Sequence, residues 1–413
     1  MLHSSPTTLS VLNARAASAS LEPARLPPAD IPGLYVHIPF CFHKCHYCDF
    51  YSITRQTEQR MARFVSLVLA EADFWVDARQ GPTPRPSTVF FGGGTPSLLP
   101  LPFMSELIRG LRRRFDFSNV AEWTVEVNPA TARADYCTML RENGVDRISF
   151  GAQSFDRAEL KTLERHHDPQ DVPASLEIAR SAGFQRLNLD LIYAIPGQEL
   201  ASWSASLEAA LALGTTHLSC YGLTYEPNTP MAVRKRLGQF QAVPESVELE
   251  MMHHTRRRLE AAGLPAYEVS NYAAPGQECR HNLLYWSGGD YIGLGPSAAS
   301  HVQGRRWRNR PHLGEWENAV AAGNLPAADV ETLSPAHRRG ELAMLNLRLS
   351  SGLDFADFSA RTGQDAHAVF AEPIDRLAKL GLIVVSQDAV RLTAAGLDVA
   401  DAVAAEFLVA AGE

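Results

Sequence analysis

The amino-acid sequence predicts an α/β protein, in which a partial (β/α)6 TIM-type barrel is followed by a C-terminal winged-helix-like α+β domain. From residue 34 onward, short apolar runs alternate with helical patterns six times, which is typical of a parallel sheet. Six units are fewer than the eight of a closed barrel, so we expect an open one. A doubly wound sheet is built from the same units and fits equally well. From residue 334 the pattern changes to short helices and two short apolar runs.

The six predicted strands are short runs rich in apolar, β-branched and aromatic residues. They cover residues 34–39, 87–91, 122–127, 147–152, 186–194 and 217–225. The segments between them carry apolar residues at three- and four-residue spacing, which indicates helices. These helices cover residues 56–78, 102–115, 131–144 and 201–214, with further helical material before Gly183. We expect the crossovers between these parallel strands to be right-handed.

The C-terminal segment has the outline of a winged helix, with predicted helices at 335–349, 354–362 and 365–380 followed by the runs LIVVS and AVRLT. A helical cap with a small hairpin is the alternative. Residues 334–413 contain 7 Lys and Arg against 11 Asp and Glu, which is a net charge of −4. Because nucleic-acid affinity depends on neutralising phosphates, we expect no nucleic-acid partner.

The length of 413 residues predicts two or three domains. The predicted boundaries are a disordered extension at 1–30, the barrel at 31–245, a connecting region that packs on the barrel at 246–330, and the winged-helix-like domain at 331–413. The extension is rich in Ala, Ser and Pro, and a transit peptide is its alternative reading. No secretory signal and no apolar run of about 18–20 residues is present, so we expect a cytoplasmic protein whose contact with membranes, if any, is peripheral.

Polar and glycine clusters follow the predicted strands at their carboxyl ends, where parallel α/β folds build their ligand sites. They are Cys41, Cys45 and Cys48, the turn FGGGTPS at 91–97, Glu126 with Asn128, Gln153, Asp190, and Tyr221 with Gly222. Strand-to-helix turns also need Gly, Pro and polar residues for structural reasons. That explanation accounts for any one cluster, but it accounts poorly for three cysteines.

The cysteines have the spacing C-x3-C-x2-C in the run CFHKCHYCDF at 41–50. In a reducing compartment, clustered cysteines indicate metal binding or catalysis more often than disulfides. Three thiolates fit an iron–sulfur cluster that keeps one iron open for a ligand. Zinc with His43 or His46 as fourth ligand is the alternative. The remaining cysteines, Cys137, Cys220 and Cys279, are predicted to be core residues.

These motifs resemble the radical S-adenosylmethionine (SAM) superfamily, through C-x3-C-x2-C after the first strand and the GGGTP turn. Within it, YVHIPFC, CDFYS, EVNP, GAQSF and DLIY-x-x-PGQ resemble oxygen-independent coproporphyrinogen III oxidases and the related haem chaperones of the HemW family. The resemblance implies that Cys41, Cys45 and Cys48 ligate a [4Fe–4S] cluster whose open iron chelates SAM. It also implies SAM contacts for ten residues, which are Tyr35, Tyr47, Gly93, Gly94, Thr95, Glu126, Gln153, Arg165, Asp190 and Gly222.

Two features separate chaperone from oxidase. The cysteine pattern typical of the oxidases is C-x3-C-x2-C-x-C, with a fourth cysteine two residues after the third. In this sequence that fourth position is occupied by Phe50. Residues 281–286 read HNLLYW, which matches the H-N-x-x-Y-W motif of the chaperones and implies His281 as an axial haem ligand, with Tyr285 and Trp286 against the porphyrin. A packed aromatic cluster with a hydrogen-bonded His281 is the structural alternative. The sequence departs from the family pattern at His46 and at Ala194-Ile195.

The resemblance therefore implies a radical SAM haem chaperone that passes haem to haem-requiring apoproteins and takes electrons from a donor protein. The resemblance also implies that the protein is able to cleave SAM reductively. The first alternative is a true oxidase that decarboxylates coproporphyrinogen III to protoporphyrinogen IX. The second is a zinc-stabilised winged-helix regulator.

Overall fold

The structure is a computed structural model that describes residues 31–77 and 83–412. The extension predicted at 1–30 lies outside the described residues. In the described part of the chain, no helix is both long and apolar enough to cross a membrane.

The first six strands form a parallel sheet in chain order. They are β1 (Gly33–Ile38), β2 (Thr88–Gly93), β3 (Glu122–Val127), β4 (Arg147–Gln153), β5 (Arg186–Tyr193) and β6 (His217–Gly222). The helices between them are α1 (Glu58–Asp77), α2 (Leu101–Arg114), α3 (Ala134–Glu142), α4 (Arg157–Thr162), α5 (Asp171–Ser181) and α6 (Leu200–Ala212). A doubly wound sheet would reverse its strand order at a switch point. The unbroken order confirms the partial barrel.

Five further strands lengthen the sheet at both ends to eleven strands. They are β7 (Asn271–Ala273), β8 (Tyr291–Leu294), β9 (Ala299–Val302), β10 (Arg305–Asn309) and β11 (Ala327–Thr332). β7 pairs antiparallel with β6, and β8 pairs parallel with β1. Four helices accompany them, namely α7 (Pro230–Arg236), α8 (Glu245–Ala261), α9 (Arg280–Trp286) and α10 (Leu313–Ala321). The sheet stays open, with β11 and β7 as its edges.

The main core lies between this sheet and the helices on its outer face. Val36 on β1, Phe91 on β2, Val125 on β3 and Leu189 on β5 point outward and are completely buried. The alternate residues of the same strands face inward, because side chains along a strand alternate between its two faces. That alternation places polar side chains such as Glu126 inside the barrel.

The C-terminal domain has its own three-stranded sheet and core, which confirms the winged-helix-like prediction. Its strands are β12 (Leu353–Asp354), β13 (Ile383–Val385) and β14 (Ala389–Leu392), and its helices are α11 (Pro335–Leu347), α12 (Phe355–Thr362), α13 (Ala366–Val369), α14 (Ala371–Lys379), α15 (Ala394–Asp398) and α16 (Ala400–Gly412). The helix predicted at 365–380 is interrupted at Phe370, where φ is −115° and ψ is 27°. Phe370 turns into the core, where its ring packs against Phe358 and Phe407.

Candidate functional site

A cavity of about 1720 Å³ opens at the carboxyl ends of the barrel strands. The three clustered cysteines line it, together with nine of the ten residues predicted to contact SAM. These nine are Tyr47, Gly93, Gly94, Thr95, Glu126, Gln153, Arg165, Asp190 and Gly222. Ligand pockets usually enclose about 300–1,000 Å³, so this cavity has room for more than one ligand.

The cysteine loop connects β1 to α1, and all three of its thiols are free and partly exposed. The Thr95 hydroxyl lies 3.7 Å from Cys41 Sγ, and Arg165 Nη1 lies 3.7 Å from Cys45 Sγ. Burial raises the pKa of Cys41, and it raises the pKa of Cys48 to about 11. These thiols therefore favour the protonated form until a cation such as iron takes the proton's place.

The donor set fits an iron–sulfur cluster. Three sulfurs belong to one short loop and face one cavity, and Arg165 provides a positive charge that offsets the negative charge of thiolates. Cys137, Cys220 and Cys279 are buried elsewhere, which confirms the prediction that they are core residues.

The glycine turn after β2 brings backbone close to the cysteine loop. Gly93 has φ of 103°, and a Cβ there would lie 2.4 Å from the His37 ring. A Cβ on Gly94 would lie 2.8 Å from the Ile38 and Phe40 carbonyl oxygens. Both positions therefore need glycine for local steric reasons.

Two buried carboxyl groups face the cavity from the neighbouring strands. Glu126 accepts a hydrogen bond from the Gly93 N–H at 3.2 Å, and Asp190 accepts from Ser149 at 3.1 Å and from Asn188 at 2.8 Å. Burial, and then the charge of Asp190, raise the pKa of Glu126 to about 8, and burial raises the pKa of Asp190. In the part of the chain that the structure describes, neither carboxyl forms an ion pair with an arginine, and both are held by hydrogen bonds instead.

Strand β4 ends in an irregularity that directs Arg165 toward the cysteines. The register with β5 shifts between Gly151 and Gln153, and Gln153 has φ of 66°. Arg165 Nη2 donates to the Gly151 carbonyl at 2.6 Å. Ala194, where the family has glycine, also adopts a positive φ, of 60°.

Tyr35 and His281 do not line the cavity. The Tyr35 hydroxyl lies 3.1 Å from His37 Nδ1, inside the barrel. The SAM contact predicted for Tyr35 stays a prediction.

His281 lies on α9 and is 1% exposed. Its Nδ1 lies 2.9 Å from the Thr88 hydroxyl, its Nε2 lies 2.7 Å from the Tyr285 hydroxyl, and its ring stacks on Phe90 with centroids 5.3 Å apart. Burial lowers the pKa of His281 to about 4, so the ring is neutral. A haem iron reaches either nitrogen only after one of these hydrogen bonds opens. Ligation of haem iron by His281 stays a prediction, and it requires that the hydrogen bond to Thr88 or to Tyr285 opens.

Two groups of cavity residues were missed in the sequence. Arg306 and Arg308 alternate along β10, Arg310 follows its last residue at the same spacing, and all three line the cavity. The run RRWRNR at 305–310 contains the period-two signal that could have revealed them. Arg306 donates to Glu331 at 2.7 Å and is paired with Glu341, whereas in the described residues Arg308 has no ion pair. His166 is the second, and it lies beside His43, which the zinc alternative had named.

Comparisons with known proteins agree with this geometry. Residues 35–210 match the radical SAM superfamily, and residues 333–399 match the HemN C-terminal domain. The protein named heme chaperone HemW from Mycobacterium tuberculosis is 35% identical over 394 residues, which cover 93% of this chain and 99% of that one. The protein of that name from Bacillus subtilis is 34% identical and covers 91% and 98%, and the one from Escherichia coli is 41% identical and covers 67% and 71%.

A solved structure of coproporphyrinogen III oxidase (HemN) from Escherichia coli superposes with a TM-score of 0.79, at 24% identity, over 92% of this chain and 90% of that one. At this identity the likeness concerns the fold alone. The radical SAM domain implies a [4Fe–4S] cluster and SAM as cofactors. With these matches over nearly its full length, the chain belongs to the heme chaperone HemW family of the radical SAM superfamily.

Proposed function

We propose that this protein binds haem and delivers it to haem-requiring apoproteins, with a [4Fe–4S] cluster and SAM bound in the barrel. The observation that carries the proposal is a cavity with three free cysteines at its mouth, in a chain that belongs to a family of heme chaperones. Its size supports occupancy by SAM and a second ligand together.

Cys41, Cys45 and Cys48 would hold the cluster, which when bound supplies an open iron and an electron for SAM. Arg165 lies beside Cys45 and would neutralise part of the negative charge of the thiolates. The electron donor would be a separate protein that reaches the exposed side of this loop.

The remaining predicted residues would hold SAM along the strand ends. The backbone at Gly93 and Gly94 would pass close to its methionyl part, since side chains are excluded there. Glu126 and Asp190 would accept hydrogen bonds from its amine or ribose hydroxyls. Tyr47, whose side chain is partly buried beside the cysteines, would support the adenine.

Haem would enter the same cavity. Its two propionates are anionic, and Arg308 on the cavity wall offers a guanidinium that pairs with no carboxylate in the described residues. His281 lies outside this cavity, near the amino ends of β2 and β3, so it would ligate the iron only if its ring left Tyr285 or Thr88 and the haem reached α9. The domain boundaries at residues 245 and 330 are part of this proposal, with residues 246–330 carrying the haem motif.

The oxidase alternative is disfavoured. The relatives that match nearly the whole chain carry the chaperone name. Phe50, at the position of the oxidases' further cysteine, is 65% exposed at the cavity.

Metal analysis of anaerobically purified protein tests the cluster. We expect about four iron atoms per chain, loss of iron in Cys45→Ser, and retention of iron in the control Cys137→Ser, whose thiol is buried in the core. Zinc in place of iron, or equal iron in both variants, would contradict the proposal.

Haem transfer is tested by mixing the haem-loaded protein with an apo-form of a haem enzyme and measuring recovered activity. The oxidase alternative is tested by anaerobic incubation with coproporphyrinogen III, SAM and a reductant. Formation of protoporphyrinogen IX together with 5′-deoxyadenosine would overturn the chaperone assignment.

A further inference from the structure

A cluster of aromatic and titratable side chains lies at the rim of the cavity. Its members are Phe42, His43, Glu164 and His166, which we call the cavity rim. The His43 and His166 rings meet edge to face with centroids 4.4 Å apart, and the Phe42 and His166 rings do so at 6.2 Å. Glu164 Oε2 lies 3.8 Å from His43 Nε2.

His166 is held in place by its two neighbours in the chain. Arg165 is anchored on the Gly151 carbonyl, and His167 Nε2 lies 3.0 Å from the Ala152 carbonyl oxygen. His167 is 4% exposed. Because both neighbours point inward to β4, the side chain of His166 is directed out toward the cysteine loop. Its position therefore results from the backbone and not from contacts of its own ring nitrogens.

The ring nitrogens of His166 are available. Among the histidines in the described residues, His43 and His166 are the two that line the cavity. His166 is exposed, and its ring forms no hydrogen bond within the described part of the chain. In His281 both ring nitrogens face hydroxyl groups inside the protein. Haem iron needs an accessible imidazole nitrogen, and His166 offers one without any rearrangement.

The surroundings of His166 suit the flat apolar surface of a porphyrin. Phe42, whose ring meets the His166 ring, is 76% exposed, and Phe50, which lines the same cavity from the same loop, is 65% exposed. Exposure of two large aromatic side chains to water is unfavourable, so a flat apolar ligand that covers them gains free energy from the buried surface.

We infer that His166 is an axial ligand to haem iron at the cavity rim, with His43 as a positioning residue that packs against its ring. This inference rests on the proposed haem-binding function. Ligation forms one iron–nitrogen bond and releases one water or hydroxide from ferric haem, and no electron moves.

The test is a titration of the anaerobically prepared full-length protein with ferric haem, comparing wild type with His166→Ala. We expect His166→Ala to lose at least about tenfold in affinity and to change the Soret band. His312→Ala is the matched control, since His312 is also exposed and also meets an aromatic ring (Tyr51, 6.1 Å) edge to face, but lies outside the cavity. We expect the control to bind haem as the wild type does.

A second variant, His166→Met, keeps a side chain that can ligate iron and changes the ligand from nitrogen to thioether sulfur. We expect an altered ferric spectrum with haem still bound. An unchanged affinity and spectrum in His166→Ala, with normal haem uptake by the wild type, would overturn this inference and leave the proposed function standing. A wild type that takes up no haem would overturn both.

Discussion

Nε2 of His281 lies 2.7 Å from the hydroxyl of Tyr285, one helical turn further along α9. Thr88 holds the other ring nitrogen at 2.9 Å. His281 is the residue that the family motif assigns to haem iron. Both of its ring nitrogens are therefore occupied by hydrogen bonds to hydroxyl groups. Opening one of them costs the free energy of a buried hydrogen bond.

Tyr285→Phe removes one of these two bonds and keeps the ring. A neutral hydrogen bond contributes about 0.5–1.5 kcal/mol, so if His281 ligates haem the variant should bind haem up to about tenfold more tightly. Haem titration measures this. His281→Ala is the companion variant, and unchanged affinity in both proteins would show that His281 is not a ligand.

The neutral state of buried His281 makes stability depend on pH. Burial lowers the pKa of His281 from 6.5 to about 4, so the folded protein excludes a proton that the unfolded chain accepts. Its contribution is present above pH 6.5 and is lost as the pH falls toward 4. Between pH 7.5 and pH 5 we expect a loss of about 2 kcal/mol from this histidine.

Urea unfolding of the wild type and of His281→Gln at both pH values isolates the effect, because other titrating groups are common to both proteins. The stability advantage of the wild type should shrink at pH 5. A difference that does not change with pH would contradict the assignment of a neutral buried ring.

Glu71 on α1 should be among the most costly residues to remove. Its carboxyl accepts from the Gly295 N–H at 2.8 Å, from Trp316 Nε1 at 2.9 Å and from Asn309 Nδ2 at 2.5 Å, and it is 1% exposed. Glu71→Ala leaves these donors buried without an acceptor, at about 3–5 kcal/mol.

The control is Glu208→Ala, which removes a surface pair with Arg258. We expect a cost below about 1 kcal/mol, because both partners remain solvated. Chemical denaturation measures both variants, and equal effects would contradict the role of Glu71 in joining α1 to β10 and α10.

Gly93→Ala should damage the site through the backbone. The new Cβ meets the His37 ring at 2.4 Å, and φ of 103° is unfavourable for alanine. We expect about 2–4 kcal/mol of destabilisation together with loss of SAM affinity. Gly314→Ala on α10, where no atom lies within 4 Å of a built Cβ, should be neutral or slightly stabilising. Thermal melts and anaerobic equilibrium binding of SAM measure both variants. A SAM affinity of Gly93→Ala equal to that of the wild type would contradict the proposal that the turn at Gly93 contacts SAM.

Arg308 should recognise the propionates. Arg308→Gln is expected to weaken haem binding by about tenfold and to leave binding of haem dimethyl ester unchanged, because the ester has no carboxylate for the guanidinium. Arg109→Gln, on the outer helix α2, is the control and should bind both ligands normally. Equal weakening toward haem and ester would indicate a structural role for Arg308.

The six strand–helix units, the cysteine loop and the polar strand ends could all be predicted from local patterns in the sequence. These are local signals: apolar spacing sets each element, and parallel strands bring their carboxyl ends to one edge. That is why Gly93, Glu126 and Asp190 could be placed together before any coordinates. The strands β7, β8 and β9 were missed because runs of three or four residues carry little periodicity, whereas the period-two signal of β10 was present and was overlooked.

Which side chains are accessible could not be predicted from the sequence, because accessibility depends on the packing of distant segments. Whether the nitrogens of His281 face a ligand or two hydroxyl groups depends on Thr88, which is 193 residues away in the chain. The exposure of His166 likewise depends on how its neighbours anchor to β4. Motif spacing specifies which residue types occur at a site, but burial and hydrogen bonding are set by contacts between distant segments, and these determine which of those residues a ligand can reach.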